Sequence, residues 1–300
     1  MRSLATFAQA AATSCSGEPS GATSARPRWV WTDDVGAASR PRWIASRSLL
    51  LQYGGVKVLE DYTERYYRRR VRSSGLVTFE VAVKETDLQV SAERNLEKET
   101  RDLVFEARHH IESYIETHSE FLTALEPYPE DPFAPPLVKE MIEHSREVGV
   151  GPMASVAGAI AEYVGKRLLE KSNQVIVENG GDLFMKADRP VTVSVFARPS
   201  PLSEKIGLVI PPRLMPVGVA SSSATIGHSL SLGKADAGCV LSPSAALADA
   251  AATALCNRIQ GPKDLKGIDG WAGSVKGILG VLVVLGDKLA TWGQIELVAI

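Results

Sequence analysis

"NQVIVENGGDLFMKA", residues 173–187, decides the fold class. The stretch upstream follows helical spacing. Here the apolar period drops to two, breaks at Gly180–Gly181, and resumes, which reads as strand, tight turn, strand. Two adjacent glycines suit a hairpin whose central residues need positive φ. The same corner, Asn179, Gly180, Gly181 and Asp182, also lets backbone approach a phosphate or nucleotide, with Asp182 available for a hydrogen bond or a metal. Both readings stand on these residues.

Downstream, "VTVSVFA" (191–197), "KIGLVI" (205–210) and "VGVASSS" (217–223) are further short strands, and "AGCVLSPS" (237–244) delivers a strand into a helix. That helix, "SPSAALADAAATALCNRI", is expected to start with Ser242 as N-cap and Pro243 as its first residue. The segment 261–277 carries Gly267, Gly270, Gly273 and Gly277 and predicts at most weak helix. The C-terminal "GILGVLVVLGDKLATWGQIELVAI" predicts two strands joined by a turn. Upstream, "GPMASVAGAIAEYVGKRLLEKS" (151–172) predicts one long helix whose first half is small residues. Such a surface admits either a tightly packed neighbour or a ligand. "LVKEMIEHSREVGVG" is an amphipathic helix ended by glycine. "EPYPEDPFAPP" (126–136), with five prolines, is a rigid connector. Residues 95–118 have helical spacing, with surface histidines at 109, 110 and 118. Val77, Phe79, Val81 and Val83, then Leu88 and Val90, alternate as an antiparallel hairpin. The sum is an α+β fold of mainly antiparallel sheets flanked by helices.

Composition narrows the function. The 300 residues are 45% hydrophobic and 23% charged, with a net charge of −2, enough for a substantial core and no global basic field to recruit nucleic acid. "YTERYYRRRVRSS" (62–74) offers Arg68, Arg69, Arg70 and Arg72 as an anion contact or a solvated face. Cys15, Cys239 and Cys256 form neither a disulfide framework nor a zinc motif, which suits a reducing, cytoplasmic setting. "ILGVLVVL" (278–285) is too short to span a bilayer as a helix. Residues 1–55, with "RPRW" at 26–29 and again at 40–43, carry no periodicity. They fit a signal or lipoprotein peptide ending at Cys15, a transit segment, or a disordered or misannotated extension. The last is preferred, because ordered patterning begins near Val56 and no methionine lies between Met1 and Met141. Residues 56–300 form the folded domain.

Within "LADAAATAL" (247–255), Asp249 and Thr253 lie at i and i+4 and point the same way. A carboxylate and a hydroxyl so placed can share a hard cation such as Mg2+. Alternatively Thr253 bonds back to the Asp249 carbonyl. "SSSATIGHS" holds Ser221, Ser222, Ser223, Thr225 and His228. It reads as a polar loop or as a hydroxyl wall for phosphates, with His228 as a titratable, candidate catalytic group. Asp236 is a further candidate acid.

The order of a small-residue helix, "NGGD", a Ser/Thr loop with a histidine, and "ALADAAATAL" resembles the ApbE-like superfamily, best known for FAD:protein FMN transferases. From about residue 62 onward the chain is similar to a cytoplasmic branch of it. The resemblance implies Asp249, Thr253 and a backbone carbonyl near Ala159 as Mg2+ ligands. It further implies FAD or a related phosphorylated nucleotide as ligand and a target threonine on a partner protein. Some relatives of that branch are associated with sulfide assimilation and homocysteine formation. That association leaves a non-catalytic scaffold or delivery partner in sulfur metabolism as the alternative to an enzyme. Two features depart from the transferases. Glu162 in "GAIAEYVG" stands where they carry a flavin-binding lysine, and His228 is not followed by their Asp-Pro. A carboxylate at that position would repel a pyrophosphate unless a metal intervenes. The apolar C-terminal hairpin is a candidate homodimer seam.

Overall fold

The computed structural model describes residues 75–223 and 232–300. The basic stretch at 62–74, the extension before it, and Thr225 and His228 lie outside the described residues.

The hairpin at 173–187 forms as expected. Strands β3 (Val175–Asn179) and β4 (Asp182–Lys186) pair antiparallel, with Asn179 opposite Asp182. Gly180 and Gly181 take φ of 68° and 109°. Two successive positive φ values match the right-handed twist of the flanking strands and are costly for any residue with a Cβ. This hairpin sits in the middle of an eight-stranded sheet.

Around it run β1 (Val77–Val83), β2 (Thr86–Ala92), β7 (Val217–Ser222), β8 (Ala237–Ser242), β9 (Gly280–Leu285) and β10 (Lys288–Gly293). The order is β1-β2-β3-β4-β7-β8-β9-β10, with every pairing antiparallel. A second sheet, in order β11-β6-β5, comprises β5 (Val191–Ser194), β6 (Ile206–Ile210) and β11 (Leu297–Ala299). The C-terminus therefore contributes a third strand beyond the expected hairpin. Leu297, Val298 and Ala299 pair with β6, a non-local partner that local pattern cannot reveal.

The helices are α1 (Glu97–Thr117), α2 (Pro136–Val148), α3 (Val156–Leu168), α4 (Ala245–Arg258) and α5 (Ile268–Ser274). Gly149, at φ 77°, ends α2. Two cores fill the space between helices and the large sheet. One gathers Val90, Ile111, Met141, Ala159, Val177 and Phe184, and the other gathers Ala220, Val240, Ala251, Leu255 and Val281. A third core, with Ile176, Met185, Leu208, Val219 and Leu282, lies on the opposite face under the small sheet. Alternation along the strands is thus resolved by the pleat: odd and even residues of β3, β4 and β7 serve different cores.

Two expectations are corrected. The small-residue segment is not one long helix: Pro152–Ser155 is a single 3-10 turn, and α3 starts at Val156 and ends at Leu168. Its glycines serve packing. A Cβ on Gly165 would overlap the Phe184 ring, so α3 lies directly on β4. Nor does α4 start at Ser242. That residue ends β8, its hydroxyl accepts the Ser244 N–H at 3.1 Å, and Ser244 is the N-cap, accepting from the Leu247 N–H at 3.2 Å. Pro243 precedes the cap instead of occupying the first turn. The weak-helix reading of 261–277 holds, since α5 spans only seven residues.

Candidate functional site

The start of α3, the β3–β4 turn, the end of β7 and one face of α4 meet at one corner of the large sheet. Asp182, on the first position of β4, and Asp249, one turn into α4, interact there. Asp182 is 7% exposed. Burial, then the repulsion of the Asp249 carboxylate, push its pKa well above the usual carboxylate range, against the Ser221 N–H that reaches Asp182 Oδ1 at 3.3 Å. Burial likewise pushes Asp249 up to about 7, although N–H groups of Gly158 and Ala157 at the α3 start favour its ionised form. The Gly158 N–H reaches Asp249 Oδ2 at 2.9 Å. Asp249 keeps partial surface access yet is enclosed by protein mass on most sides, so enclosure governs its proton affinity.

Thr253 lies one turn beyond Asp249 and is 7% exposed. Its hydroxyl does not bond back to the Asp249 carbonyl, so that explanation of the pair is not realised among the described residues. Ser222 is also buried, on the α4 side of β7 with Ala220, and its hydroxyl has no hydrogen-bond partner among the described residues. Buried carboxylates and an orphaned hydroxyl on the helix-facing side of neighbouring strands are the oxygen donor types that a hard cation or a phosphorylated ligand takes. Among the described residues no three His, Cys, Asp or Glu side chains gather as a metal cage. A cation here would complete its shell with hydroxyl, backbone or ligand oxygens, which suits Mg2+ better than zinc.

Other expected residues behave differently. The Asn179 side chain donates to the Ala157 carbonyl at 3.0 Å and ties the turn to α3. The Gly181 N–H is engaged by Glu178 Oε1 at 2.8 Å, so it is not free for a phosphate, while Gly180 has open space around it. Ser221 and Ser222 belong to β7 and not to a loop. The Ser221 side chain points to the opposite face from Ser222, toward the Gly181 carbonyl at 3.4 Å. Ser221 therefore serves the corner through its backbone N–H. Ser223 follows the strand and is partly exposed. Ala159 is fully buried one residue past the pair that faces Asp249, and its carbonyl points along α3. The α3 residues nearest Asp249 are Ala157 and Gly158. Asp236 is not a free acid: its Oδ2 accepts the Gly286 N–H at 2.6 Å and braces the β9–β10 turn.

Glu162 is the largest departure from expectation. Its carboxylate does not stand free to repel a ligand. Oε2 accepts from Ser244 Oγ at 2.8 Å and the Ala246 N–H at 3.1 Å, and Oε1 pairs with Lys166 Nζ at 2.7 Å. No local spacing announces this, because its partners lie more than eighty residues away. Only Lys166, at i+4, is visible in the sequence.

No single described helix is long and apolar enough to cross a membrane. A protein-family model described as "AbpE bacteria" matches residues 68–268. A UPF0280 protein of Methanocella arvoryzae is 36% identical over 219 residues, covering 73% of this chain and 89% of the relative. One from Methanosphaerula palustris is 38% identical over 214 residues, covering 71% and 89%. Among solved structures, the flavin transferase ApbE from Vibrio cholerae shares the fold, with a TM-score of 0.50, 13% identity, and coverage of 72% of this chain and 96% of that one. The chain belongs to the UPF0280 family and to the family described as "AbpE bacteria".

Proposed function

We propose that the corner formed by Asp182, Ser222, Asp249 and Thr253 binds a divalent cation, Mg2+, together with a phosphorylated, flavin-type nucleotide such as FAD, and that the protein carries out flavin-transfer-related chemistry. The observation that carries this reading is the enclosed pair of carboxylates: burial raises the proton affinity of both, and the charge of Asp249 raises that of Asp182 further. Asp249 and Thr253 would hold the cation, with a carbonyl near Ala159 as a further donor. A bound cation would neutralise phosphate charge and polarise the phosphorus–oxygen bond. In a transfer, a threonine hydroxyl of a protein target would attack the flavin-side phosphorus. The phosphoanhydride bond would break and the nucleoside monophosphate would leave with the bonding pair. The hydroxyl proton would pass to His228 or to an ionised carboxylate. The remaining hydroxyls of Ser223 and Thr225 would contact the ligand.

A second reading, a non-catalytic scaffold or delivery partner in sulfide assimilation and homocysteine formation, draws support from Glu162. That carboxylate is committed inside the fold, so the position supplies no cation for a pyrophosphate. In either case a cytoplasmic protein acting beside a protein partner is proposed. Titrating Mg2+ with FAD, FMN or ADP while following the melting temperature separates the two. A Mg2+-dependent rise with a nucleotide, lost in Asp249→Ala, supports the binding site. No rise with any combination rejects it in favour of the scaffold.

A further inference from the structure

Helices α3 and α4 hold each other's first turns by exchanged carboxylates. Asp249 on α4 accepts from the Gly158 N–H of α3, and Glu162 on α3 accepts from Ser244 Oγ and the Ala246 N–H of α4. The two helices touch backbone to backbone between these bonds. A Cβ on Gly158 would overlap the Ala245 carbonyl oxygen and come within 2.8 Å of Asp249 Cβ. A helix start leaves four N–H groups without intrahelical partners, and a serine N-cap satisfies one of them. Here Ser244 serves the Leu247 N–H, and Glu162, 2% exposed, serves the Ala246 N–H from another helix. Burying a carboxylate is unfavourable even with Lys166 beside it. A cap drawn from α3 and not from the local chain also fixes the register of one helix against the other.

We propose that Glu162 is a positioning residue for the cation site: it fixes the start of α4 against α3 and thereby sets where Asp249 and Thr253 stand relative to Asp182. The assignment rests on the cation reading above. Glu162 touches no ligand. It acts through the stiffness of α4, because Asp249 follows Ala246 by less than one turn and must move with it. Mg2+ and Mn2+ sites tolerate little displacement, since octahedral ligands near 2.1 Å cannot stretch to follow a shifted helix. Lys166 Nζ, 2.7 Å from Glu162 Oε1, pairs with that carboxylate in its buried position.

The test compares the full chain with Glu162→Gln, Glu162→Asp and Glu162→Ala in two measurements. One is Mn2+ affinity, from free Mn2+ by electron paramagnetic resonance. The other is amide hydrogen exchange at Gly158. Glu162→Gln keeps an oxygen that accepts from Ser244 and Ala246 and should bind Mn2+ within about 3-fold of wild type. Glu162→Asp keeps the charge but falls short by one methylene, and should weaken Mn2+ roughly 10-fold or more, as loss of a supporting partner does in metal sites. Both variants retain a polar group, so the comparison survives if Glu162→Ala fails to fold. The Gly158 amide should exchange at least about 10-fold faster in Glu162→Asp, beyond the change at amides of the distant β1–β2 hairpin. Wild-type Mn2+ affinity and wild-type Gly158 exchange in folded Glu162→Asp would overturn the proposal. If wild type itself binds no Mn2+ and Asp249→Ala changes nothing, the cation reading fails, while Gly158 exchange still decides whether Glu162 sets the helix register.

Discussion

Replacing Asp249 by asparagine should stabilise the metal-free protein at alkaline pH, against the usual expectation for a buried group with hydrogen bonds. The carboxylate's pKa is about 7 in the folded chain against 3.8 when exposed. The folded state therefore keeps the proton to higher pH than the unfolded state does. Below pH 4 both states are protonated and the group contributes nothing. Between pH 4 and 7 the unfolded state ionises first, and folding stability declines. Above pH 7 the full loss is reached. Three pKa units at 1.36 kcal/mol each set a ceiling of about 4 kcal/mol. Partial solvent access lowers that figure. Asparagine retains an oxygen for the Gly158 N–H and presents an amide N–H toward Asp182, so it removes the charge without orphaning its neighbours. A weaker, uncharged bond to Gly158 gives back about 1 kcal/mol. The net expectation at pH 8 in EDTA is a gain of about 2 kcal/mol, or roughly 4–8 °C for a domain of this size. At pH 4.5 the variant should be level or slightly less stable. Urea unfolding of both proteins across pH 4.5–8 gives the difference profile, in which the titrating groups other than Asp249 and its coupled neighbour Asp182 cancel. Saturating Mg2+ should reverse the order at pH 8, since the cation stabilises only the chain that binds it. A flat difference profile would show that Asp249 is solvated and ordinary, and the electrostatic case for the site would fall with it.

The Gly158→Ala chain should lose about 3 kcal/mol or more, seen as a large fall in melting temperature, because its Cβ meets backbone of α4 that cannot move aside. Gly261→Ala, with open space around it, is the matched control and should change little. Ser222→Ala removes a hydroxyl that has no partner among the described residues, so stability should change by less than about 1 kcal/mol while Mn2+ or nucleotide affinity falls. Equal affinity in the two chains would take Ser222 out of the site. Asp236→Ala leaves the Gly286 N–H without its acceptor and should cost about 1–3 kcal/mol in chemical denaturation, with Mn2+ binding unchanged.

What could be read from the chain follows the range of the forces involved. The 173–187 hairpin, the alternation of β1–β2 and the glycine stop of α2 are local: a few residues set φ, the pleat and the apolar face. The pairing of Leu297–Ala299 with β6 spans some ninety residues, and the cap of α4 lies two residues beyond the expected one because Ser242, Pro243 and Ser244 form overlapping cap signals. At the site, Asp249 and Thr253 are visible in the sequence as an anomaly in an alanine helix, and Asp182 as the end of a glycine turn. That Asp182 lies close enough to Asp249 to feel its charge is a long-range fact of the fold. The role of Glu162 is not legible locally, because it depends on Ser244 and Ala246, which share neither helix nor strand with it.

Asp249 has two duties that pull in opposite directions. As a cap on α3 it should be ionised, since N–H groups at a helix start favour negative charge. As the neighbour of buried Asp182 it should be protonated, and burial wins, raising its pKa. Gly158 lets α3 come close enough for the first duty, and Glu162 takes the corresponding place at α4. Were the fold optimised for stability alone, a serine or asparagine at 249 would cap α3 without the penalty of two facing carboxylates. The proposed divalent cation would account for the carboxylate. It would relieve the repulsion, lower the proton affinity of both acids, and leave the Gly158 bond intact. Stability in the metal-free protein and affinity for the cation would then be linked with opposite sign through one side chain, as a binding site requires and a frustrated core does not.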